Sequence, residues 1–479
     1  MTTKPIGVDR SNIDQSSTDS CPALTVALAD WVYSLQIENL PLAVTHQVKR
    51  VVLDYHCAVI AGCTAPTSRA VQNYFALTES GSAAGVVGSE HRFAAHTAAF
   101  INGTAAHGLE IDDGYTAGSY HPGACAMPAI MAQAQASKSS AQEVTLAVVA
   151  AYEVSCRLAR AGHPHTWQNG FHNTGINGVF ASAVGVGKLL GLSVEELSWA
   201  LGMAGSFSSG LFEFLAQGSE TKRLHPGKSA RDGLIVAQLA RAGIDGPLTG
   251  IEGENGYFKA YAGGKADLNS VLQGLGTTYE MLNTYVKPYP CCRHLHAPID
   301  AVLAMKGQRS FDAGDVVRVV VQTHRGAAKH DHQHYAGLLD AQMSIPYAVA
   351  AALVYDQVDL TAFGVQARAN PEIARLAASV SVEVSEAIQA VYPAKRSASV
   401  MLELRDGRCL TYLQPQPYGE PDNPLDDAAL TEKFHAICDP MVGRERSQAL
   451  VRACWRLDLE AIDQLSTFKT GDLKCIAGE

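Results

Sequence analysis

The repeat of apolar residues changes near residue 280, and this change most constrains what the 479-residue chain can fold into. From about residue 22 to 275, apolar residues recur at intervals of three and four, the repeat of helices with one buried face. Ser140 followed by Glu143 is a capping-box signature for a helix start, and Ser193 with Glu196 is another. Strand-like alternation is scarce here, so this part is predicted to be nearly all α.

Strand patterns appear in the following third of the chain. Residues rich in β-branched side chains occupy 315–323, and apolar residues alternate with polar ones over 380–386 and part of 398–404. The residues that follow, 405–408, fit a hairpin turn. With a helix predicted over 341–355, this indicates an α+β unit that contains a small antiparallel sheet. The predicted organisation is mostly α: a disordered tail over 1–21, an all-helical domain from 22–279 and 425–479, and a smaller α+β lid domain over 280–424.

Composition excludes several classes of protein. A formal net charge of −10 argues against a nucleic-acid partner, which requires a basic face. No apolar run approaches the roughly 18 residues of a membrane span, and the first twenty residues lack the pattern of a secretory signal. The eleven cysteines include no CxxC pair, so zinc, disulfide and iron–sulfur spacings are absent. We therefore expect a cytoplasmic protein without membrane partners.

Basic residues are concentrated in a few segments despite the acidic total. Each pairs His or Lys with Gly, Pro or a helix start, and residues 107–113 (HGLEIDD) add carboxylates beside a histidine. The basic segments are HPG at 121–123, FHNT at 171–174, TKRLHPGK at 221–228 and KPYPCCRHLH at 287–296. This inventory favours binding of a small carboxylate and movement of a proton on it.

Individual residues support this interpretation to different degrees. His121 is predicted in a His-Pro-Gly turn, and functional residues concentrate in loops. His172 precedes a helix expected to start near Thr174, whose dipole attracts carboxylates, although a buried core histidine is the simpler alternative. Lys222 belongs to a cationic segment before a helix expected over 229–242, and a solvated charged face is its alternative. The acids of 107–113 could equally be surface charges at a helix end.

The segment 287–296 is a poor candidate for a metal site. Its two prolines predict an extended backbone on which Cys292, His294 and His296 alternate, which is poor spacing for tetrahedral zinc. No metal is therefore predicted.

These segments, together with GIEGENGYF at 250–258, resemble in order the pattern of the MmgE/PrpD family over about residues 25–460. Its members include 2-methylcitrate dehydratases, cis-aconitate decarboxylases and iminodisuccinate epimerase. The resemblance implies a large helical domain, a smaller α+β lid, a cleft between them and a homodimer. It also implies that no cofactor, metal or iron–sulfur cluster is needed.

Carried over to this sequence, the decarboxylase-type site corresponds to Glu110, His121, His172, Lys222 and Lys287. Glu110 replaces a shorter aspartate, and Cys292 stands where the decarboxylases have histidine, with His294 two residues further on. This second difference disfavours decarboxylation. The full predicted set is His121, His172, Lys222, Glu110 and Asp113 as catalytic residues, with Lys287, Arg293, His294, Arg223 and Cys292 binding substrate.

The favoured function is a cofactor-independent hydro-lyase that removes a proton α to a carboxylate, with 2-methylcitrate or a related alkylcitrate as substrate. Either His121 or His172 would be the base, and the cations would stabilise the enediolate. The alternatives are an epimerase of a dicarboxylate such as iminodisuccinate, a cis-aconitate-type decarboxylase, and a protein that only binds a small di- or tricarboxylate.

Overall fold

The computed structural model describes residues 23–216, 218–308 and 311–468, and the predicted tail over 1–21 lies outside them. Helices dominate, as predicted. The first part contains α1 Leu24–Ser34, α2 Leu42–Gly62, α3 Pro66–Thr78, α4 Ala95–Ala106, α5 Pro122–Ser137, α6 Ala141–Gly162, α7 His165–Gln168, α8 Asn173–Leu189, α9 Val194–Phe207, α10 Thr221–Arg241, α11 Tyr257–Ala262 and α12 Leu268–Leu272. Two small antiparallel pairs accompany them: β1 Ala84–Gly85 with β2 Arg92–Phe93, and β3 Gly114–Tyr115 with β4 Thr284–Tyr285.

Small residues let the helices of the first core approach closely. Helix α8 is buried along almost its whole length and packs against α5, α6 and α10. At the α4–α10 crossing, a Cβ atom on Gly227 would lie 2.3 Å from the carbonyl oxygen of Phe100, so only glycine allows this contact. The Ala/Gly-rich stretches of the sequence thus produce close helix packing rather than flexible chain. Both predicted capping boxes, at Ser140 and Ser193, are formed.

Helix α10 begins earlier than the sequence suggested. The expected start was residue 229, because the His-Pro-Gly of 225–227 was interpreted as a turn, but the helix begins at Thr221 with Pro226 inside it. Pro226 removes the hydrogen bond to the Lys222 carbonyl and crowds that carbonyl, which typically costs about 3 kcal/mol, so the packing of α10 against α4 and α8 must offset it. Lys222 is therefore held on a packed helix and not on a loop.

The second part of the chain surrounds a four-stranded sheet. Its elements are α13 His296–Gln308, β5 Val316–Thr323, α14 Arg325–Ala328, α15 Leu338–Gln342, α16 Ile345–Val354, α17 Val365–Arg368, α18 Pro371–Ala378, β6 Val380–Val384, α19 Glu386–Val391, β7 Ala398–Leu404 and β8 Cys409–Gln414. The strand order is β6-β5-β7-β8. Strands β7 and β8 form the expected hairpin, but β5 and β6 are parallel, so the sheet is mixed and not antiparallel. The reason is the crossover through α14–α18, which returns the chain in the same direction.

Three final helices, α20 Asp427–Val442, α21 Arg444–Arg456 and α22 Leu459–Ser466, return to the helical part. Helix α20 packs on α2, where Lys433 pairs with Asp54 at 2.6 Å. Leu430 and Phe434 belong to the first core, whereas residues of 291–404 form a separate core around the sheet. In the described part of the chain, the helices are too short or too polar to span a bilayer.

Candidate active site

A buried ion cluster connects the loop after α4, helix α10 and the segment after β4. Glu110, four residues after α4, has a left-handed backbone, φ 59°. Its buried carboxylate pairs with Lys222 of α10 and, at 3.2 Å, with the Nζ of Lys287, two residues after β4. Burial disfavours the ionised acid, but the two lysines outweigh it and hold the pKa of Glu110 well below its usual value. In the chain, Lys222 lies 112 positions and Lys287 lies 177 positions after Glu110. The fold brings the three residues together into one anion–cation site.

Two histidines share a second carboxylate. The Nδ1 of His107 donates to Asp112 Oδ2 at 2.7 Å, and the Nδ1 of His121 lies 3.3 Å from the same oxygen. His121 Nδ1 also lies 2.7 Å from the carbonyl oxygen of Asp113. A carbonyl only accepts hydrogen bonds, so the proton of neutral His121 is on Nδ1 and its Nε2 carries the lone pair. Burial lowers the pKa of His107 and opposes ionisation of Asp112, whose pKa is nevertheless held well below its usual value by the two histidines.

His172 completes the group of imidazoles. It occupies the N-cap position of α8, although its side chain makes no capping hydrogen bond. Its ring centroid is 6.2 Å from that of His107, which in turn lies 5.0 Å from that of His121. Its Nδ1 is 2.9 Å from the Nδ1 of His225 on α10, and Phe214 packs against its ring. Burial and the neighbouring His225 hold the pKa of His172 well below its usual value. His172 is thus neutral at physiological pH.

His107, Asp112 and His121 lie close enough together to hold a metal ion. However, the Nδ1 atoms of both imidazoles are used as hydrogen-bond donors, and Lys287 Nζ lies 4.0 Å from the second oxygen of Asp112. A cation at the carboxylate would displace these protons and meet the lysine charge. The donor chemistry favours a proton network over a metal site.

Two predicted site residues point elsewhere. The carboxylate of Asp113 accepts from the amide of Gly123 and from the hydroxyl of Tyr152, inside the helical core. Burial raises its pKa to about 8. Arg293 is held by Glu420 at 3.0 Å and lies over the ring of Tyr285, 4.6 Å from its centroid. Neither the acid nor the guanidinium remains available to a substrate.

The remaining predicted residues lie in the lid or, like Arg223 of α10, contact it. The expected extended strand ends early, because Leu295 bonds back to Cys292 and α13 begins at His296. The two prolines restrict only the backbone near themselves. His294 packs beside His324 and His330, with ring centroids 5.1 and 5.3 Å away. Arg223 of α10 is buried and reaches the lid through Gln342, at 3.4 Å.

Sequence reasoning missed four residues that the structure brings to this region: His107, Asp112, His225 and His330. The first two belonged to the segment HGLEIDD, from which only Glu110 and Asp113 were predicted as site residues. His225 was hidden in a His-Pro-Gly that resembled a turn, and His330 had no recognisable motif around it. Only the first segment carried a usable signal, since a histidine five residues before an acid can fold back on it across a tight turn.

Several buried polar atoms around the site have no hydrogen-bond partner among the described residues. They are His107 Nε2, Asp112 Oδ1, Arg223 Nη1 and His294 Nδ1. A buried polar atom without a partner costs roughly 1–3 kcal/mol, so such atoms are rare in well-packed protein. Their concentration beside two lysines suits a ligand rich in oxygen atoms, such as a polycarboxylate. The site can therefore bind carboxylates, stabilise negative charge and exchange protons through neutral imidazoles.

Fold and site together define a helical body, an α+β part around the sheet, and a buried cluster of carboxylates, lysines and imidazoles. The family model for the MmgE/PrpD N-terminal domain matches residues 26–269, and that for the C-terminal domain matches residues 289–457. The chain belongs to the MmgE/PrpD family. The C-terminal family domain includes α20 and α21, which pack on the helical part in this structure.

Three relatives carry the name of one enzyme, cis-aconitate decarboxylase. The chain is 24% identical over 446 residues to the cis-aconitate decarboxylase of Aspergillus terreus, covering 88% of this chain and 91% of the relative. It is 25% identical over 467 residues to the human cis-aconitate decarboxylase, covering 94% and 95%. The mouse protein of the same name is 24% identical over 473 residues, covering 94% of each. At this identity, the names indicate an enzyme but leave dehydration and decarboxylation open.

Proposed function

We propose that this protein is a cofactor-independent lyase that generates negative charge next to a carboxylate of a small di- or tricarboxylate. One observation carries the proposal: Lys222 and Lys287, 65 residues apart in the chain, converge on a single buried anionic site. Preorganised cations stabilise an enediolate as it forms, and this is usually the largest contribution to catalysis of such steps. His121, with a lone pair on Nε2 and Asp112 beside Nδ1, is the proposed base.

The favoured reaction is dehydration of 2-methylcitrate or a related alkylcitrate. Removal of the α-proton by His121 forms the enediolate, and expulsion of the β-hydroxyl as water gives the alkene. The replacement of an expected histidine by Cys292 supports dehydration over decarboxylation. Cis-aconitate decarboxylation is the second candidate, favoured by the names of the relatives. It would use the same lysines to stabilise the carbanion that remains after loss of carbon dioxide.

Proton NMR in deuterated water tests both candidates and the epimerase alternative. Purified protein is incubated with 2-methylcitrate, with cis-aconitate and with an epimerisable dicarboxylate. Water loss from the first substrate without metal, and unchanged by EDTA, is the expected result. Carbon dioxide release from cis-aconitate alone would replace dehydration by decarboxylation, and inversion with deuterium uptake would establish an epimerase. Sedimentation of the same sample tests the proposed homodimer.

A further inference from the structure

A thiol and an imidazole face each other on the lid beside the ion cluster. The Sγ of Cys292 lies 3.8 Å from the Nε2 of His330, within hydrogen-bonding range for sulfur. The Nδ1 of His330 lies 2.9 Å from the carbonyl oxygen of Met343 and must donate to it. In the neutral ring, Nε2 is therefore an acceptor aimed at the thiol. This fixed orientation distinguishes the pair from an isolated buried cysteine.

The position of the pair connects it to the site. The backbone amide of Cys292 is held by the carbonyl of Gln342 at 2.9 Å, and the Gln342 side chain reaches the carbonyl of Leu109, next to Glu110. Burial opposes ionisation of the thiol, but the charges of His330 and Lys222 lower the pKa of Cys292 to about 7. Lys287 also lies within electrostatic range of the sulfur. The thiol thus belongs to the same charged cluster as Glu110.

A cavity of about 70 Å³ adjoins the imidazole of His330. Its wall includes Phe214 and Leu215 from the helical part, with Met343 from the lid. Phe214 is also the residue that packs against His172. The cavity therefore lies at the boundary of the two parts of the fold, between the Cys292–His330 pair and the surroundings of His172.

We propose that Cys292 is the proton donor to the departing hydroxyl group, and that His330 is the residue that positions and polarises its thiol. The proposal rests on the dehydration proposed above. His121 takes the α-proton, and the electron pair of the C–H bond is held as the enediolate. That electron pair then forms the new C=C bond as the C–O bond breaks, and the thiol proton goes to the leaving oxygen, which departs as water. The thiolate, stabilised by the charge of Lys222, is reprotonated from solvent as His121 releases its proton.

A change of leaving group isolates this step. Fluoride leaves without full protonation, whereas hydroxide needs a proton, so a substrate analogue with fluorine in place of the departing hydroxyl bypasses the donor. We expect Cys292→Ala and His330→Asn to reduce turnover of the hydroxy substrate by about 10²–10⁴-fold. Release of fluoride from the analogue should stay within about threefold of wild type. His334→Asn, the same substitution at an exposed position of the same segment, is the matched control and should change neither rate.

If Cys292→Ala and His330→Asn lose equal activity on the hydroxy substrate and the fluoro analogue, or lose activity on neither, the proposal is overturned. If His330→Asn fails to fold, the rate of iodoacetamide labelling of Cys292 against pH, read by peptide mass spectrometry in wild type, supplies a second measurement. A midpoint near pH 7 is expected, and one near 9 would exclude the thiol–imidazole pair. Wild-type protein that eliminates neither water nor fluoride would refute the proposed dehydration instead, so the two failures are distinguishable.

Discussion

The lysine pair around Glu110 allows catalysis and stability to be separated. In Lys222→Met, Glu110 keeps Lys287 at 3.2 Å but loses one of its two cations. Breaking a buried ion pair from one side typically costs 3–5 kcal/mol, and the remaining lysine places this case at the lower end, about 3 kcal/mol. Loss of one preorganised electrostatic partner should reduce turnover by about 10²–10³-fold. Urea unfolding and NMR-monitored turnover measure the two quantities on the same sample.

The double variant Lys222→Met/Glu110→Gln distinguishes the two effects. It removes the cation together with its anion, so the uncompensated charge disappears and most of the unfolding free energy should return. Turnover should not return, because the enediolate still lacks its cation. Lys228→Met, on the same helix and paired with the buried carboxylate of Asp232, is the control. Asp232 keeps Arg231 at 2.8 Å, so we expect a smaller loss of stability than in Lys222→Met and unchanged turnover.

Near-wild-type turnover in Lys222→Met would show that the lysine only neutralises Glu110 and has no part in the chemistry. Recovery of turnover in the double variant would refute the electrostatic argument in a different way. It would mean that the single variant lost activity through misfolding or through the repelling charge of Glu110, and not through loss of the cation.

Two further predictions concern residues with shifted pKa values. Asp113→Asn should keep turnover and gain stability over wild type as pH rises from about 4 to about 8. The reason is that the pKa of Asp113 is about 8 when folded against 3.8 as its ordinary value, so the folded state binds the extra proton and wild-type stability falls over this interval. Urea titrations at pH 5 and pH 9 measure the difference, and an equal effect at both would contradict it. His172→Gln should lose about 10²–10⁴-fold in turnover with unchanged circular dichroism, whereas near-normal turnover would make His172 only a structural residue at the start of α8.

The helical body was predictable because its signals are local. Capping boxes at residues 140 and 193 and the three-four repeat depend on neighbours within one or two turns. The direction of strand pairing does not depend on near neighbours, since the parallel contact of β5 with β6 is decided by a crossover that runs through five helices. The predicted start of α10 was wrong for a related reason. Pro226 and Gly227 indicate a turn locally, but close packing against α4 selects a helix.

The candidate site was predictable residue by residue only where a motif carried it. Lys222, Lys287, Glu110, His121 and His172 do come together in the structure, whereas Arg293 is taken up by Glu420. Charge alone cannot indicate which basic residue in a segment will face a ligand, because a buried arginine with its own carboxylate partner has the same sequence appearance as a binding one.

The three acids of residues 110–113 show how one short segment serves three purposes. The left-handed backbone at Glu110 turns the chain four residues after α4, and the acids that follow it point in different directions. Glu110 meets the lysines, Asp112 meets His107 and His121, and Asp113 meets Tyr152 in the core. A left-handed conformation costs a non-glycine residue roughly 1–3 kcal/mol, which the ion cluster must offset. The carboxylate of Glu110 reaches cations on two different segments, Lys222 of α10 and Lys287 after β4. The same contact therefore stabilises the turn, joins these two segments and defines the anion site.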